Sequence, residues 1–167
     1  MATNVLIVDY SWSGTTAKMA ALLQRVTGGT VVDLTVAAGT FPSDMFATAD
    51  TASQQLASGQ LPALTNALPD LRSFDTVLVG GPVWGGTVAT PVRRFLAQLP
   101  GFSGTVAPFY TDAGTPGNYE ADFASLVPTA KVAAGIGLTA GELPTAEAAL
   151  TTWSVSYTHL RAHETGA

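Results

Sequence analysis

The chain contains no cysteine, which removes disulfides, thiolate metal sites and cysteine nucleophiles together. Histidine is almost as scarce, and both copies, His159 and His163, lie near the C-terminus. The body of the chain therefore offers no imidazole for acid–base work or metal ligation. Charge is sparse at 11% of residues. Seven Lys and Arg stand against 12 Asp and Glu, a net charge of −5 that argues against a nucleic-acid partner. No apolar run is long enough to span a bilayer. Met1, Ala2 and Thr3 lead directly into the first apolar strand, so no signal peptide is expected. These absences predict a cytoplasmic protein, and 167 residues suffice for one domain with a sizeable core.

What the chain does have is concentrated in VLIVDYSWSGTT, residues 5–16. Val5, Leu6, Ile7 and Val8 form a continuous apolar run, the pattern of a strand buried on both faces. Ser11, Ser13, Thr15 and Thr16 follow, with Gly14 among them. Met19, Leu22, Leu23 and Val26 then fall on one stripe of a helix expected over residues 17–26. A helix N-terminus directly after a strand favours an anion, because its first N–H groups are unpaired and the dipole is positive there. The hydroxyls add neutral donors suited to a phosphate monoester. The loop lacks the Lys-Ser/Thr ending of an NTP-binding P-loop and the spaced glycines of a dinucleotide fingerprint.

Further along, apolar runs and helical periods alternate. Short strands are expected over residues 30–34, 76–79, 105–110 and 131–138, the last interrupted by glycine. Met45, Phe46, Ala49, Ala52 and Leu56 recur at helical spacing and predict a helix over residues 44–58, capped by Ser43. Thr90 before Pro91 reads as the N-cap of a helix carrying Val92, Phe95, Leu96 and Leu99. Residues 83–87 and 111–118 read as loops, residues 119–126 as a short helix, and Pro144 with Thr145 as the start of the last helix. Alternating strands and helices, five of each, predict a doubly wound α/β fold with a five-stranded parallel sheet. Its ligand belongs at the carboxyl ends of the strands, where the winding reverses.

Ser11-Trp12-Ser13-Gly14-Thr15-Thr16 resembles the phosphate loop of flavodoxins. So do the run Leu61 to Leu71, the segment Gly81-Pro82-Val83-Trp84-Gly85-Gly86-Thr87, and Thr90-Pro91-Val92-Arg93-Arg94-Phe95-Leu96, which resemble one bacterial flavodoxin subfamily. The likeness spans most of residues 4–153 and departs at Gly85, where the family often has an aromatic, and at Thr15, where it often has Asn. It implies the strand order 2-1-3-4-5 and a non-covalent FMN between the first and third strands. The implied cofactor-binding residues are Ser11, Trp12, Ser13, Gly14, Thr15 and Thr16 for the phosphate. Pro82, Val83, Trp84, Gly85 and Gly86 are implied along the ring, with Thr111, Asp112, Gly114 and Tyr119 on its other side. A flat apolar ring suits the face of Trp84, while Trp12 is expected to shield the site.

The implied function is electron transfer through FMN, to redox partner proteins or to a small acceptor such as a quinone. The alternatives are an NAD(P)H-dependent FMN quinone reductase and a flavin-free binding domain of the same fold. A phosphorylation receiver needs Asp at the end of the third strand, where Gly80-Gly81-Pro82 stands. Asp9 is expected to be solvated or hydrogen-bonded, and Arg93 and Arg94 to lie on an exposed helix face. From Val155 onward, VSYTHLRAHET departs in composition and resembles a translated sequencing adapter. Residues 155–167 are expected to be a non-native tail on a domain of residues 1–154 with a shortened last helix.

Overall fold

A computed structural model describes residues 4–165, with side chains described as far as Ser156. Most of the tail set aside above lies outside the described side chains. The chain runs β1 (Val5–Asp9), α1 (Thr15–Thr27), β2 (Thr30–Asp33), α2 (Met45–Ser58), β3 (Thr76–Trp84) and β4 (Thr87–Val88). It continues through α3 (Thr90–Leu96), β5 (Thr105–Asp112), α4 (Tyr119–Leu126), β6 (Lys131–Val132), β7 (Ile136–Thr139) and α5 (Glu147–Thr165).

The sheet order is β2-β1-β3-β5-β6, all parallel, with β7 also on β5. Thr105 and Val106 pair with β6, and Phe109 to Asp112 pair with β7. These two short strands are thus halves of one edge strand broken around Gly135, and the expected 2-1-3-4-5 winding holds. Gly135 donates its N–H to Glu120 Oε1 at 2.7 Å, and Tyr110 donates to the other oxygen at 2.6 Å. Glu120 of α4 therefore anchors the break.

Strand alternation divides the core. Leu6, Val8, Val77, Val79 and Val106 face Val92, Phe95 and Phe123 of α3 and α4. Val5, Ile7, Leu78 and Phe109 face Met19 and Leu23 of α1 and Leu150 and Trp153 of α5. Each fully buried apolar side chain contributes about 1.5–3 kcal/mol, so both helical layers hold the parallel strands in register. Among the described residues no helix is long and apolar enough to cross a membrane.

Local chemistry shifts several expected boundaries. Residues 83–87 are not an irregular loop. Gly85 (φ 61°) and Gly86 (φ 76°) form a two-residue turn that needs φ above zero at both positions, and β4 returns antiparallel on β3. Asp44, not Ser43, caps α2, because its carboxylate accepts from the Ala47 N–H at 2.8 Å. Thr90 lies inside α3 instead of capping it, and its hydroxyl donates to Gln55 Oε1 of α2 at 2.6 Å. Helix α2 buries only Thr48 and Ala52, leaving Met45, Phe46 and Leu56 outward. Its narrow contact uses small side chains and a 2.8 Å bond from the Thr48 hydroxyl to the Pro42 carbonyl. Of the five periodic apolar residues only Ala52 is buried, and Met45, Phe46 and Leu56 face away from the core.

Candidate functional site

The end of β1 is pinned between its neighbours. Leu34 N–H donates to the Asp9 carbonyl at 2.6 Å, and Tyr10 N–H donates to the Gly80 carbonyl at 3.0 Å. The chain leaves the sheet at Ser11, whose hydroxyl accepts from the Gly14 N–H at 3.0 Å and folds the loop back on itself. Gly14 stands at the N-cap with φ 95°, and no side chain caps α1 there. The first turn of α1 carries no acidic residue. Its N–H groups therefore form an open cradle for an anion at the carboxyl edge of the sheet.

The hydroxyls of this loop are not equivalent. Ser13 and Thr15 bond each other at 3.3 Å on the exposed side. Thr16 is buried, and its hydroxyl bonds that of Thr111 on β5 at 2.7 Å. This bond between the two side chains ties α1 to the sheet.

Beside the cradle lies an aromatic cluster. The half-buried Trp84 ring meets Tyr10 at 5.9 Å and 83°, and Phe41 at 5.1 Å and 69°. These are edge-to-face arrangements, which aromatic quadrupoles favour. Trp12 donates its indole N–H to the Pro42 carbonyl at 3.3 Å, joining the first loop to the segment before α2. The hairpin carrying Trp84 is braced from behind. Asp122 of α4 accepts the Val88 N–H at 3.0 Å and pairs with Arg93. The Arg93 Nε–H donates to the Val88 carbonyl at 2.9 Å. Arg93 is thus half-buried and structural, a correction to its expected exposure, while Arg94 is exposed.

The two hairpin glycines also differ. The Gly86 carbonyl accepts from the Asn118 N–H at 2.9 Å, which locks the hairpin to the loop after β5. Gly85 is exposed at the tip of the turn, with open space where a side chain would project. Asp112 closes the loop after β5, its Oδ1 accepting from the Gly114 N–H at 2.7 Å. Pro82 and Val83 are half-buried on β3, leading into the hairpin. Tyr119, expected beside the ligand, is 1% exposed and stacks on Tyr110 at 4.5 Å. It is a core residue, placed inward because α4 starts there and packs on the sheet.

Asp9 overturns its expectation most sharply. It is fully buried, and its carboxyl oxygens are unpartnered but for the Asp33 carboxyl beside them. Alternation places it on the α1 face with Val5 and Ile7, and its register partners are Asp33 and Gly80. Burial first, and the neighbouring Asp33 second, push its pKa from 3.8 up to about 8. Period-2 alternation along β1 carried the signal for this placement. Tyr10, Phe41 and Pro42 are the other site residues that motif reading passed over. Phe41 was visible only as an aromatic in a loop.

A parallel sheet reversing its winding at β1 and β3, with an uncapped helix N-terminus there and aromatics alongside, defines a nucleotide-type cofactor-binding α/β protein. The donors suit a phosphate monoester, and the aromatic cluster suits a flat apolar ring. Residues 4–155 match the flavodoxin family, and the chain belongs to it. The flavoprotein of Lactobacillus acidophilus NCFM, crystallised in complex with FMN, is 32% identical with a TM-score of 0.77. That match covers 86% of this chain and 98% of the other. The apo-form of the flavoprotein from that organism, solved by NMR, is 34% identical over 82% of this chain and 93% of its own, with a TM-score of 0.66. A Bacteroides eggerthii DSM 20697 protein shares the fold at 24% identity and a TM-score of 0.80, over 93% of this chain and 98% of its own. Comparison with curated proteins finds no match.

Proposed function

We propose that this chain binds one FMN non-covalently at the carboxyl edge of its sheet and carries electrons between redox partners. The observation that carries this reading is the uncapped α1 N-terminus opening beside the Tyr10–Phe41–Trp84 cluster. Membership of the flavodoxin family and the FMN complex of the Lactobacillus protein support it. In this reading the N–H groups of the first α1 turn, with the Ser13 and Thr15 hydroxyls, hold the phosphate. Trp84 covers the ring, and the Gly85 backbone meets its edge. Bound FMN supplies electron transfer, and the protein sets its position and surroundings. The net charge of −5 supports partners of opposite charge.

Titrating flavin-free protein with FMN, followed by flavin fluorescence, should saturate at one FMN per chain; no saturation would overturn the proposal. The loaded protein should leave NAD(P)H unoxidised in the presence of a quinone, whereas rapid turnover would favour the reductase alternative.

Trp84→Ala should weaken FMN binding by roughly 5- to 150-fold, the equivalent of about 1–3 kcal/mol of lost aromatic contact. Inorganic phosphate should still compete with FMN for the cradle in this variant. An unchanged FMN dissociation constant would remove Trp84 from the site.

A further inference from the structure

Four large apolar side chains are exposed among the described residues, and three of them, Met45 (65%), Phe46 (80%) and Leu56 (43%), belong to α2. The outward side of this helix also carries Ala49, Ser53 and Ala57, and its only charges are Asp44 and Asp50. The surrounding sequence is one-sided. Between Arg25 and Arg72 there is no Lys or Arg, while Asp33, Asp44 and Asp50 all lie exposed. Apolar side chains clustered at the surface with an acidic rim mark an interaction face. This face adjoins the candidate site, because α2 starts immediately after Phe41, which packs on Trp84, and Pro42, which holds Trp12 and Thr48.

We propose that the outward face of α2 is the docking surface for a protein partner presenting an apolar patch rimmed by Lys and Arg. The proposal rests on the electron-carrier reading, and it deepens that reading by naming where the partner sits. Charge decides against a second copy of the chain. A symmetric pair of such faces would gather two copies each of Asp44 and Asp50 in one interface, with no cation on either helix to offset them. A basic rim satisfies the same acids, and the apolar centre supplies the desolvated contact that dominates binding. Docking here places the partner beside the aromatic cluster.

The test uses cytochrome c, a basic haem protein, as the probe, with FMN-loaded protein and the double variant Met45→Ser/Phe46→Ser. Both positions are exposed and outside the cofactor site, so the variant should keep its circular dichroism spectrum and FMN affinity. Electron transfer from the reduced protein to cytochrome c at low salt should slow by about tenfold. Transfer to ferricyanide, which needs no docking face, should be unchanged. Asp50→Asn should flatten the salt dependence of the cytochrome c rate. Equal cytochrome c rates in variant and parent would overturn the proposal. So would a parent dimer in sedimentation that the double variant converts to monomer, since the face would then belong to a second copy. Calorimetric binding of cytochrome c to flavin-free protein separates this proposal from the FMN reading. A chain that takes up no FMN yet loses cytochrome c binding in the variant would retain the docking face and lose only the cofactor.

Discussion

Asp9→Asn should make the protein more stable by several kcal/mol at pH 8 and nearly unchanged in stability near pH 4. Asp9 is fully buried, its carboxyl unpartnered but for that of Asp33. Its ionised form is disfavoured first by lost solvation and then by Asp33, the facing residue on β2, and its pKa is pushed up from 3.8 to about 8. A carboxyl with a raised folded-state pKa contributes its full stability below the unfolded value, here near pH 4. That contribution is lost as pH rises, because the unfolded chain releases the proton while the folded chain still holds it. The loss proceeds at about 1.4 kcal/mol per pH unit and levels off near pH 8, for an upper bound of roughly 5–6 kcal/mol. Asn removes the titration while keeping the shape. Urea unfolding of parent and variant between pH 5 and 9 checks this. The difference between the two should grow with pH and then flatten. A constant difference would mean that Asp9 finds solvent or a partner.

Gly80→Ala should cost about 3 kcal/mol or more. A methyl group at Gly80 would lie 2.1–2.4 Å from ring atoms of Phe109 on the neighbouring strand β5. Phe109 is fully buried on the face that packs against α1 and α5, so its ring has no free volume into which to turn. Phe109→Leu in the Gly80→Ala background should recover part of the loss, although Phe109→Leu alone destabilises. Denaturant unfolding of the two single variants and the double variant gives the coupling, expected at about 1 kcal/mol or more. Strictly additive losses would show that the two residues do not compete for the same space.

The winding of the sheet was legible because its signals are local. Val5 to Val8 and Thr76 to Val79 are continuous apolar runs, and helical stripes with breakers separate the strands. The phosphate loop was legible as a position, since hydroxyls and Gly14 follow a strand and precede a helix. The roles of its side chains were not. The Thr16–Thr111 bond depends on β5 lying close to α1, across 95 residues of chain. The same holds for Arg93, whose pairing with Asp122 needs α3, α4 and the hairpin together. Helix α2 misled for another reason. Periodicity reports which residues share a face, but the face that docks is set by neighbours. Here Gln55–Thr90 and Thr48–Pro42 fix the small-residue side inward. Asp9 was obscured because residue type suggested a solvated acid, whereas strand alternation placed it inside.

A paired titration of flavin-free protein with FMN and with riboflavin bears most directly on the phosphate cradle at α1. The two ligands share the ring and differ in the phosphate. Two charge-assisted hydrogen bonds to the first-turn N–H groups, at about 1.5 kcal/mol each, predict FMN binding at least about 100-fold tighter than riboflavin. Equal affinities would show that the phosphate is not held at the α1 N-terminus.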